Sequence, residues 1–284
     1  MLYYKEKEGR DMQRFLRFPG WKAKAMTLSY DDAVIFDKRL ISIMQKHGLK
    51  GTFNVNGGML SHDFYRRMDK DEALALYQNS GMEVAMHGLD HAFLAGSTGA
   101  DIMKEYYQDK IELEKTFGKI MRGGAYAFGV VTDEIVNVLK ALGVSYFRTT
   151  ECTGGFDLPT DWLRWGPTCR HADKNLFAML DAFLAETPDK IYNAKPRLFC
   201  LFGHSYEFED NNNWDLIERF CEKASAYDDI WHATNEEIYD YVQAYNGLIF
   251  SAAGDKILNN SGTDVYLWLD RKQVIAKANS VTEV

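Results

Sequence analysis

The chain has 284 residues, which is enough for one large α/β domain or two smaller ones. Hydrophobic residues make up 46% of the sequence and aromatic residues 14%, so a sizeable buried core is expected. The net charge is −8 with scattered lysine and arginine, which argues against nucleic acid or an anionic membrane as the main partner. No stretch approaches the roughly 18 apolar residues that a membrane span requires.

Cysteine usage and the first residues bear on the cellular compartment. Cys152, Cys169, Cys200 and Cys221 form no CxxC pair and no regular framework, so we expect reduced thiols. Residues 1–10 contain no apolar signal-peptide core. A cytoplasmic location is therefore expected, although a signal peptide that had already been removed would leave the same pattern.

The hydrophobic periodicity, together with glycines that mark helix ends and turns, predicts strands that alternate with helices. In chain order we predict a strand at 23–30, a helix at 33–47, a strand at 49–56, a helix at 69–79, a strand at 82–86, helices at 99–117 and 132–142, a strand at 144–148, a helix at 171–186, a strand at 197–202, a helix at 213–227, a short strand at 230–233 and a helix at 235–245. Thr132 and Gly143 are the predicted N-cap and stop of one helix, and Thr234 with Glu237 forms a capping box for the last. This alternation implies a parallel sheet that is either closed into a barrel or doubly wound.

The pattern changes at Gly247. Short strands at 248–250, 256–258, 265–269 and 273–275 follow one another, separated by turn residues. We therefore predict a domain at 1–246 and a small β-rich extension at 247–284. About forty residues cannot build much core alone, so we expect this extension to pack on the first domain or on a partner chain, which would give a homo-oligomer.

Two polar motifs follow predicted strands. Asp31 and Asp32 close the strand at 23–30, and His87 and His91 come directly after the strand at 82–86. One carboxylate and two imidazoles are the ligand set of a catalytic metal ion that leaves a position open for water, and the second aspartate is then free to act as a base. Helix capping is the alternative role for an aspartate pair. Because barrel enzymes build their sites after strand ends, these positions favour the barrel.

The two motifs resemble those of the polysaccharide deacetylase superfamily, the NodB-homology domains of carbohydrate esterase family 4. Residues 27–33 resemble its first motif, usually Thr-Phe-Asp-Asp-Gly, and residues 87–91 its His-x-x-x-His motif. The resemblance covers about residues 23–245 and, with the alternation, predicts an α/β fold: a distorted (β/α) barrel of about seven parallel strands with a short C-terminal β-rich extension. It implies that Asp31 is the catalytic base and that one divalent ion, zinc or else cobalt, nickel or iron, is bound by Asp32, His87 and His91.

Two further motifs extend the resemblance. Arg122-Gly-Gly-Ala-Tyr126 resembles Arg-x-Pro-Tyr/Phe-Gly, although the proline is missing and the spacing is looser. The resemblance implies that Arg122 pairs with the base and that the backbone N–H of Tyr126 helps to hold the oxyanion; a surface arginine is the alternative. Leu201-Phe-Gly-His204 matches Leu-x-x-His, which implies that His204 protonates the leaving group rather than packing in the core.

The predicted substrate contacts and the support of His204 rest on weaker signals. Trp162 and Trp165 could stack on a sugar ring, and His171 lies in a polar run that could line a cleft, although buried aromatics are commoner. The family's Asp-x-x-Asp-Trp element is not clearly present. Asp157 and Asp161 are its nearest equivalents, so the carboxylate that supports His204 is left open.

The predicted function is metal-dependent removal of acetyl groups from an N-acetylated or O-acetylated sugar or oligosaccharide. The same superfamily includes hydrolases of small cyclic amides and imides, and this alternative stays open. An inactive glycan-binding module is a third interpretation, against which the retention of every candidate catalytic group argues. The expected partner is thus an acetylated carbohydrate or a small amide, with no nucleic acid.

Overall fold

The structure is a computed structural model that describes residues 13–63, 66–188, 194–270 and 272–284. The N-terminal segment that bears on a signal peptide lies outside these residues. Among the helices of the described ranges, none has both the length and the apolar character needed to cross a membrane.

Strands and helices alternate through most of the described chain. The strands are β1 (Arg14–Arg17), β2 (Lys24–Asp31), β3 (Gly51–Val55), β4 (Glu83–Met86), β5 (Gly123–Ala125), β6 (Tyr146–Arg148), β7 (Cys169–Arg170), β8 (Arg197–Gly203), β9 (Ile230–His232), β10 (Ile249–Phe250), β11 (Lys256–Asn259), β12 (Val265–Leu269), β13 (Lys272–Ala276) and β14 (Ser280–Glu283). The helices are α1 (Asp37–Lys46), α2 (Lys70–Tyr77), α3 (Gly99–Phe117), α4 (Asp133–Ala141), α5 (Leu176–Ala185), α6 (Tyr206–Asp210), α7 (Trp214–Ser225) and α8 (Asn235–Asn246). Short 3₁₀ turns lie at Pro19–Trp21, Gly57–Met59, Ala127–Gly129 and Trp162–Arg164.

The main sheet is parallel and forms a distorted barrel. Its strand order is β6-β5-β4-β3-β2-β8-β7, and β9 pairs with the first part of β2. The segment before β7 joins the two ends of this order: the Trp165 N–H donates to the Phe147 carbonyl at 3.1 Å, and the Thr168 N–H donates to the Cys200 carbonyl at 2.8 Å. The predicted α/β barrel of about seven parallel strands is confirmed, and the doubly wound alternative is wrong.

Local signals set several helix boundaries as predicted. Thr132 caps α4 by accepting the Ile135 N–H, and Gly143 follows that helix with a φ of 73°. Thr234 and Glu237 form the capping box of α8, with both reciprocal bonds present. These helices begin and end where the caps supply partners for the backbone groups that a helix end leaves unpaired.

Two helices begin later than predicted. Positive φ values delay the start of α1, and pairing with a strand delays the start of α5. Asp32 and Ala33 have φ values of 89° and 52°, which a right-handed helix does not allow, so α1 begins only at Asp37. The alternative role of Asp31 or Asp32 as the cap of this helix is therefore wrong, since Phe36 occupies the N-cap position. Residues 169–171 pair with β8 instead of starting a helix, so α5 begins at Leu176.

One end of the barrel is covered, which leaves the other end for a site. All eight residues of β2 are buried between β3 and β8. At the amino end of β3 and β4, the first N–H groups of α8 donate to side chains: Asn235 to Thr52 Oγ1 and Glu236 to Glu83 Oε2, each at 2.9 Å. The carboxyl ends of the strands lie at the opposite end.

The C-terminal extension is β-rich, as predicted. It forms two antiparallel three-stranded sheets, β1-β12-β13 and β10-β11-β14, so the N-terminal strand β1 shares a sheet with residues 265–276. Its small core is built on Ile257, Val265 and Leu267, which cluster with Ala244 and Leu248 at the end of α8. The division at 246/247 stays a prediction, and β1 pairs with β12 across it.

Candidate active site and metal centre

Polar side chains gather at the carboxyl ends of the barrel strands. Asp31 ends β2, Arg148 ends β6, and His87 and His204 follow β4 and β8 directly. A cavity of about 480 Å³ opens here, and its lining comprises Asp31, Asp32, His87, His91, Tyr126, Phe128, Thr150, Cys152, Arg170, Phe202, His204 and Tyr206. The predicted motifs at residues 31–32, 87–91 and 204 therefore meet in one place.

Asp32, His87 and His91 form a cluster that fits a metal ion. Their ligand atoms all lie within 4.8 Å of one another, and Asp32 Oδ1 is 3.9 Å from His87 Nε2 and 3.7 Å from His91 Nε2. His87 Nδ1 is 2.9 Å from the Ala125 carbonyl, an acceptor that fixes the proton on Nδ1 and leaves Nε2 free as a ligand. Burial and His87 lower the pKa of His91 to about 4, so this imidazole is neutral at pH 7, the form that coordinates metals.

Two residues of this cluster have an unusual backbone conformation. Asp32 and His91 have positive φ values, 89° and 53°, which non-glycine residues rarely adopt. Such conformations persist only where the surrounding structure imposes them, and they concentrate at functional sites.

Asp31 is held by two donors that favour its ionised form. Arg148 Nη2 lies 2.5 Å from both carboxylate oxygens, and Asn54 Nδ2 donates to Oδ1 at 2.8 Å. Burial opposes ionisation, but the Arg148 guanidinium, with His87 and His204, lowers the pKa of Asp31 to about 2. A buried carboxylate that stays ionised beside this cluster of candidate metal ligands can accept a proton.

The prediction that Arg122 pairs with this aspartate is wrong. Arg122 precedes β5, so it lies at the amino end of the sheet, where its guanidinium donates to both Asp240 oxygens at 3.0 and 2.7 Å. Asp240 belongs to α8, which covers that end. The predicted partner role falls instead to Arg148, one strand away at the carboxyl end; the sequence offered a signal, because Arg148 closes a predicted strand.

His204 is supported by a carboxylate from its own turn. Its Nδ1 lies 2.8 Å from Glu207 Oε1, and its Nε2 lies 3.8 Å from Asp32 Oδ2. Burial opposes protonation, but the hydrogen bond to Glu207 and the charges of Asp31 and Asp32 raise the pKa of His204 above its ordinary value. Neither Asp157 nor Asp161 takes this role: the first pairs with Arg197, and the second caps the 3₁₀ turn at 162–164.

His171 does not line the cavity, contrary to the prediction. It is only 3% exposed, and its Nε2 lies 2.8 Å from Glu207 Oε2, on the far side of that carboxylate from His204. Its ring stacks on Tyr30 at 5.7 Å. The residue thus holds Glu207 rather than reaching a substrate.

Tyr126 lies in the cavity wall, but its donors are used elsewhere. Its backbone N–H donates to the Arg148 carbonyl at 3.0 Å, and its hydroxyl donates to the Leu163 carbonyl at 2.6 Å. The predicted use of this N–H for an oxyanion is therefore wrong.

The two predicted tryptophans are structural. Trp165 is 1% exposed and packs on Trp162 at 5.3 Å, and Trp162 contacts Tyr239 of α8 at the same distance. They belong to the cluster between the barrel and α8, away from the cavity lining, so the prediction that they bind substrate is wrong.

Two buried carboxylates of α3 hold the loop that carries the histidines. Asp109 accepts the N–H groups of Gly57 at 2.7 Å and Gly88 at 2.9 Å. One turn earlier, Glu105 Oε1 accepts two later N–H groups of the loop, at 3.0 and 3.1 Å. The periodicity of α3 gave no reason to assign these acidic residues to a site, because a carboxylate on a helix usually faces solvent.

Arg67 is a further residue that the sequence did not indicate. Its Nη2 donates to Asp32 Oδ1 at 3.1 Å and its Nη1 donates to Asn56 Oδ1 at 3.1 Å. With His87 and burial, this guanidinium sets the pKa of Asp32, which lies below its ordinary value despite the burial. Arg67 comes from the segment before α2, and no motif marks it.

Comparisons with known proteins agree with this geometry. Residues 20–147 match the polysaccharide deacetylase family, so the resemblance predicted from the motifs is confirmed. No curated protein matches the chain. A protein of Mycobacterium smegmatis, provisionally assigned as a polysaccharide deacetylase, is 17% identical with a TM-score of 0.60; the match covers 82% of this chain and 94% of that one.

A second solved structure shares the fold. The family 4 carbohydrate esterase of Streptomyces lividans, determined in complex with acetate, is 14% identical with a TM-score of 0.51, over 74% of this chain and 91% of that one. At these identities the two structures establish a common fold.

Proposed function

We propose that this chain, whose residues 20–147 match the polysaccharide deacetylase family, is a metal-dependent hydrolase that removes acetyl groups from a carbohydrate. The observation that carries the proposal is the pairing of an ionised carboxylate, Asp31, with a neighbouring ligand cluster of Asp32, His87 and His91. The names of the two solved relatives support an acetylated carbohydrate as the substrate class.

The cluster would hold one divalent cation, and zinc suits two imidazoles and one carboxylate, as do cobalt, nickel and iron. When bound, such an ion supplies Lewis-acid polarisation of a carbonyl and lowers the pKa of water. Asp32 would supply the negatively charged ligand. The Ala125 carbonyl keeps the His87 proton on Nδ1, so that Nε2 can bind the ion.

The proton steps belong to Asp31 and His204. Asp31, kept ionised by Arg148, accepts the proton of a water molecule that attacks the acetyl carbonyl carbon. His204, whose pKa is raised by Glu207 and the two aspartates, would donate a proton to the departing amine or alcohol. The acetyl C–N or C–O bond breaks, and acetate and a free amine or hydroxyl leave.

The proposal is tested by metal analysis of the purified protein together with acetate release from N-acetylated and O-acetylated sugars, with and without a chelator. We expect near-stoichiometric metal and acetate release that the chelator abolishes and added zinc restores. Bound metal with cleavage of cyclic amides, but of no acetylated sugar, would refute the substrate class. A protein that binds no metal even after reconstitution would refute the reaction and favour a binding module.

A further inference from the structure

Two phenyl rings stand exposed at the mouth of the cavity. Phe128 is 59% exposed and Phe93 is 64% exposed, and their ring centroids lie 5.7 Å apart in an edge-to-face arrangement. The Phe128 ring also contacts His91 at 4.4 Å. An apolar surface therefore begins at a candidate metal ligand and continues outward, since Phe128 lines the cavity and Phe93 does not.

The backbone next to each of the two phenylalanines is fixed by hydrogen bonds. Phe128 has a φ of 55° inside the 3₁₀ turn at Ala127–Gly129, and the Gly129 N–H donates to the Tyr126 carbonyl at 3.0 Å. The residue before Phe93 donates its N–H to Glu105 Oε1 at 3.1 Å. A strained turn that holds a large exposed ring against a second one, beside a cavity, points to a function for this apolar patch.

We propose that Phe93 and Phe128, which we term the aromatic strip, form a subsite for a sugar ring adjoining the acetylated one. The inference rests on the proposed function and deepens it by assigning a second sugar-binding position outside the cavity, next to the metal-ligand cluster. The flat C–H face of a pyranose packs on a phenyl ring, and aromatic surfaces supply much of the contact in ligand sites.

The position of Phe93 distinguishes substrate classes. A ligand confined to the cavity would meet Phe128, which lines it, whereas Phe93 lies outside the lining. Only a ligand that continues past the cavity mouth reaches Phe93. The aromatic strip therefore favours a chain of sugars over the small amide substrates of the alternative function.

The test compares chain-length preference in four proteins: wild type, Phe93→Ala, Phe93→Trp and Ile120→Ala. Ile120 is the matched control, an isoleucine that is 72% exposed and precedes β5 at the opposite end of the barrel. Acetate release is measured with one-unit to four-unit oligomers of N-acetylglucosamine and of O-acetylated xylose. Binding of the same oligomers is measured by calorimetry in an Asp31→Asn background.

We expect kcat/KM and affinity to rise with chain length in the wild type and in Ile120→Ala. In Phe93→Ala the value for the four-unit oligomer should fall by roughly two- to tenfold more than that for the one-unit sugar, and Phe93→Trp should restore it. An unchanged length preference in Phe93→Ala, with acetate still released, would overturn the subsite and leave the proposed function standing. Length-dependent binding that Phe93→Ala removes would support the subsite even if acetate release failed for every substrate.

Discussion

At the scale of single residues, the pairing of Asp31 with Arg148 is the feature on which the proposed chemistry most depends. Both side chains are nearly inaccessible, 4% and 0% exposed, so each charge relies on the other for compensation. Ser29 adds a second contact by accepting the Arg148 Nε–H at 3.0 Å. The geometry fixes the direction of the Asp31 carboxylate as well as its charge.

Replacing Arg148 tests that pair. We expect Arg148→Met to lower kcat by roughly 100-fold or more, because Asp31 would lose its charge partner and its pKa would rise. Leaving a buried carboxylate unpaired should also lower the free energy of unfolding by about 3–5 kcal/mol. The measurements are acetate-release kinetics and urea denaturation.

Arg122→Met is the matched control, since its ion pair with Asp240 is partly exposed and lies at the other end of the barrel. It should change stability by no more than about 1 kcal/mol and leave kcat near the wild-type value. A loss of activity in Arg122→Met that equals the loss in Arg148→Met would reinstate the motif-based assignment.

The His204–Glu207 pair predicts a pH dependence. Glu207 helps to raise the pKa of His204, and in the proposed reaction His204 gives its proton to the leaving group, so activity should fall as the pH rises through that pKa. In Glu207→Gln the pKa of His204 falls, and the alkaline limb of kcat/KM should move to lower pH. Asp31, with a pKa of about 2, should limit activity only in strong acid.

The matched control is Asp210→Asn, which removes a charge from the same short helix where it pairs with Arg66 outside the cavity lining. Its pH profile should coincide with that of the wild type. An alkaline limb that does not move in Glu207→Gln would show that another group supplies the proton.

At the scale of elements, helix α3 fixes the loop that carries the histidines. Asp109 has no exposed surface and accepts N–H groups from two loops at once, next to His87 and after β3. In Asp109→Asn one of these buried donors would face an amide NH₂ group instead of an acceptor. We expect a loss of about 1–3 kcal/mol in unfolding free energy and a weaker zinc affinity, measured by denaturation and by competition with a metal indicator.

Asp101→Asn, an exposed change in the first turn of the same helix, should lower the unfolding free energy by no more than about 1 kcal/mol and leave the zinc affinity unchanged. If Asp109→Asn loses stability but keeps its zinc affinity, then α3 supports the fold and does not position the ligands.

Element geometry also explains which site residues could be predicted. In a parallel sheet, a residue that follows a strand and a residue that precedes one lie at opposite edges. Asp31, His87 and His204 satisfied this rule and were predicted correctly to meet, whereas Arg122 precedes its strand and failed it. Arg148 also satisfies the rule, because it ends β6, but it belongs to no motif and was not among the predicted site residues.

Other residues carried no such signal. Arg67 and Asp109 reach the site from a loop and from a helix face, and only the folded chain brings them there. The roles of Trp162 and Trp165 depended on whether an aromatic residue faces a cleft or α8, which composition does not reveal.

At the scale of the whole molecule, the first described strand, β1, shares a sheet with β12 and β13 of the C-terminal extension. Leu267 of β12 pairs with Leu16 of β1 and has no exposed surface. The extension also reaches the barrel through Tyr241 of α8, whose hydroxyl accepts the Tyr266 N–H at 2.9 Å and donates to the Arg17 carbonyl at 2.9 Å. The strand alternation predicted the barrel, but the partner of residues 14–17 depends on a pairing that spans the whole sequence.

Leu267→Ala tests whether this sheet stabilises the protein. We expect the free energy of unfolding to fall by about 2–5 kcal/mol through lost burial and a cavity, with kcat unchanged below the transition. Val281→Ala, at a position that is 56% exposed, should change stability by less than about 0.5 kcal/mol. Equal unfolding free energies in the two variants would contradict a stabilising role for the sheet. Light scattering on both variants would also test the predicted homo-oligomer.

The most direct measurement of the central claim compares metal affinity and turnover in Asp31→Asn and His87→Ala. We expect Asp31→Asn to bind zinc about as tightly as the wild type and to release no acetate, because it lacks the proposed base but keeps the proposed ligands. His87→Ala should lose both zinc and acetate release. Equal loss of zinc in the two variants, or acetate release that survives in Asp31→Asn, would contradict the division into one base and three ligands.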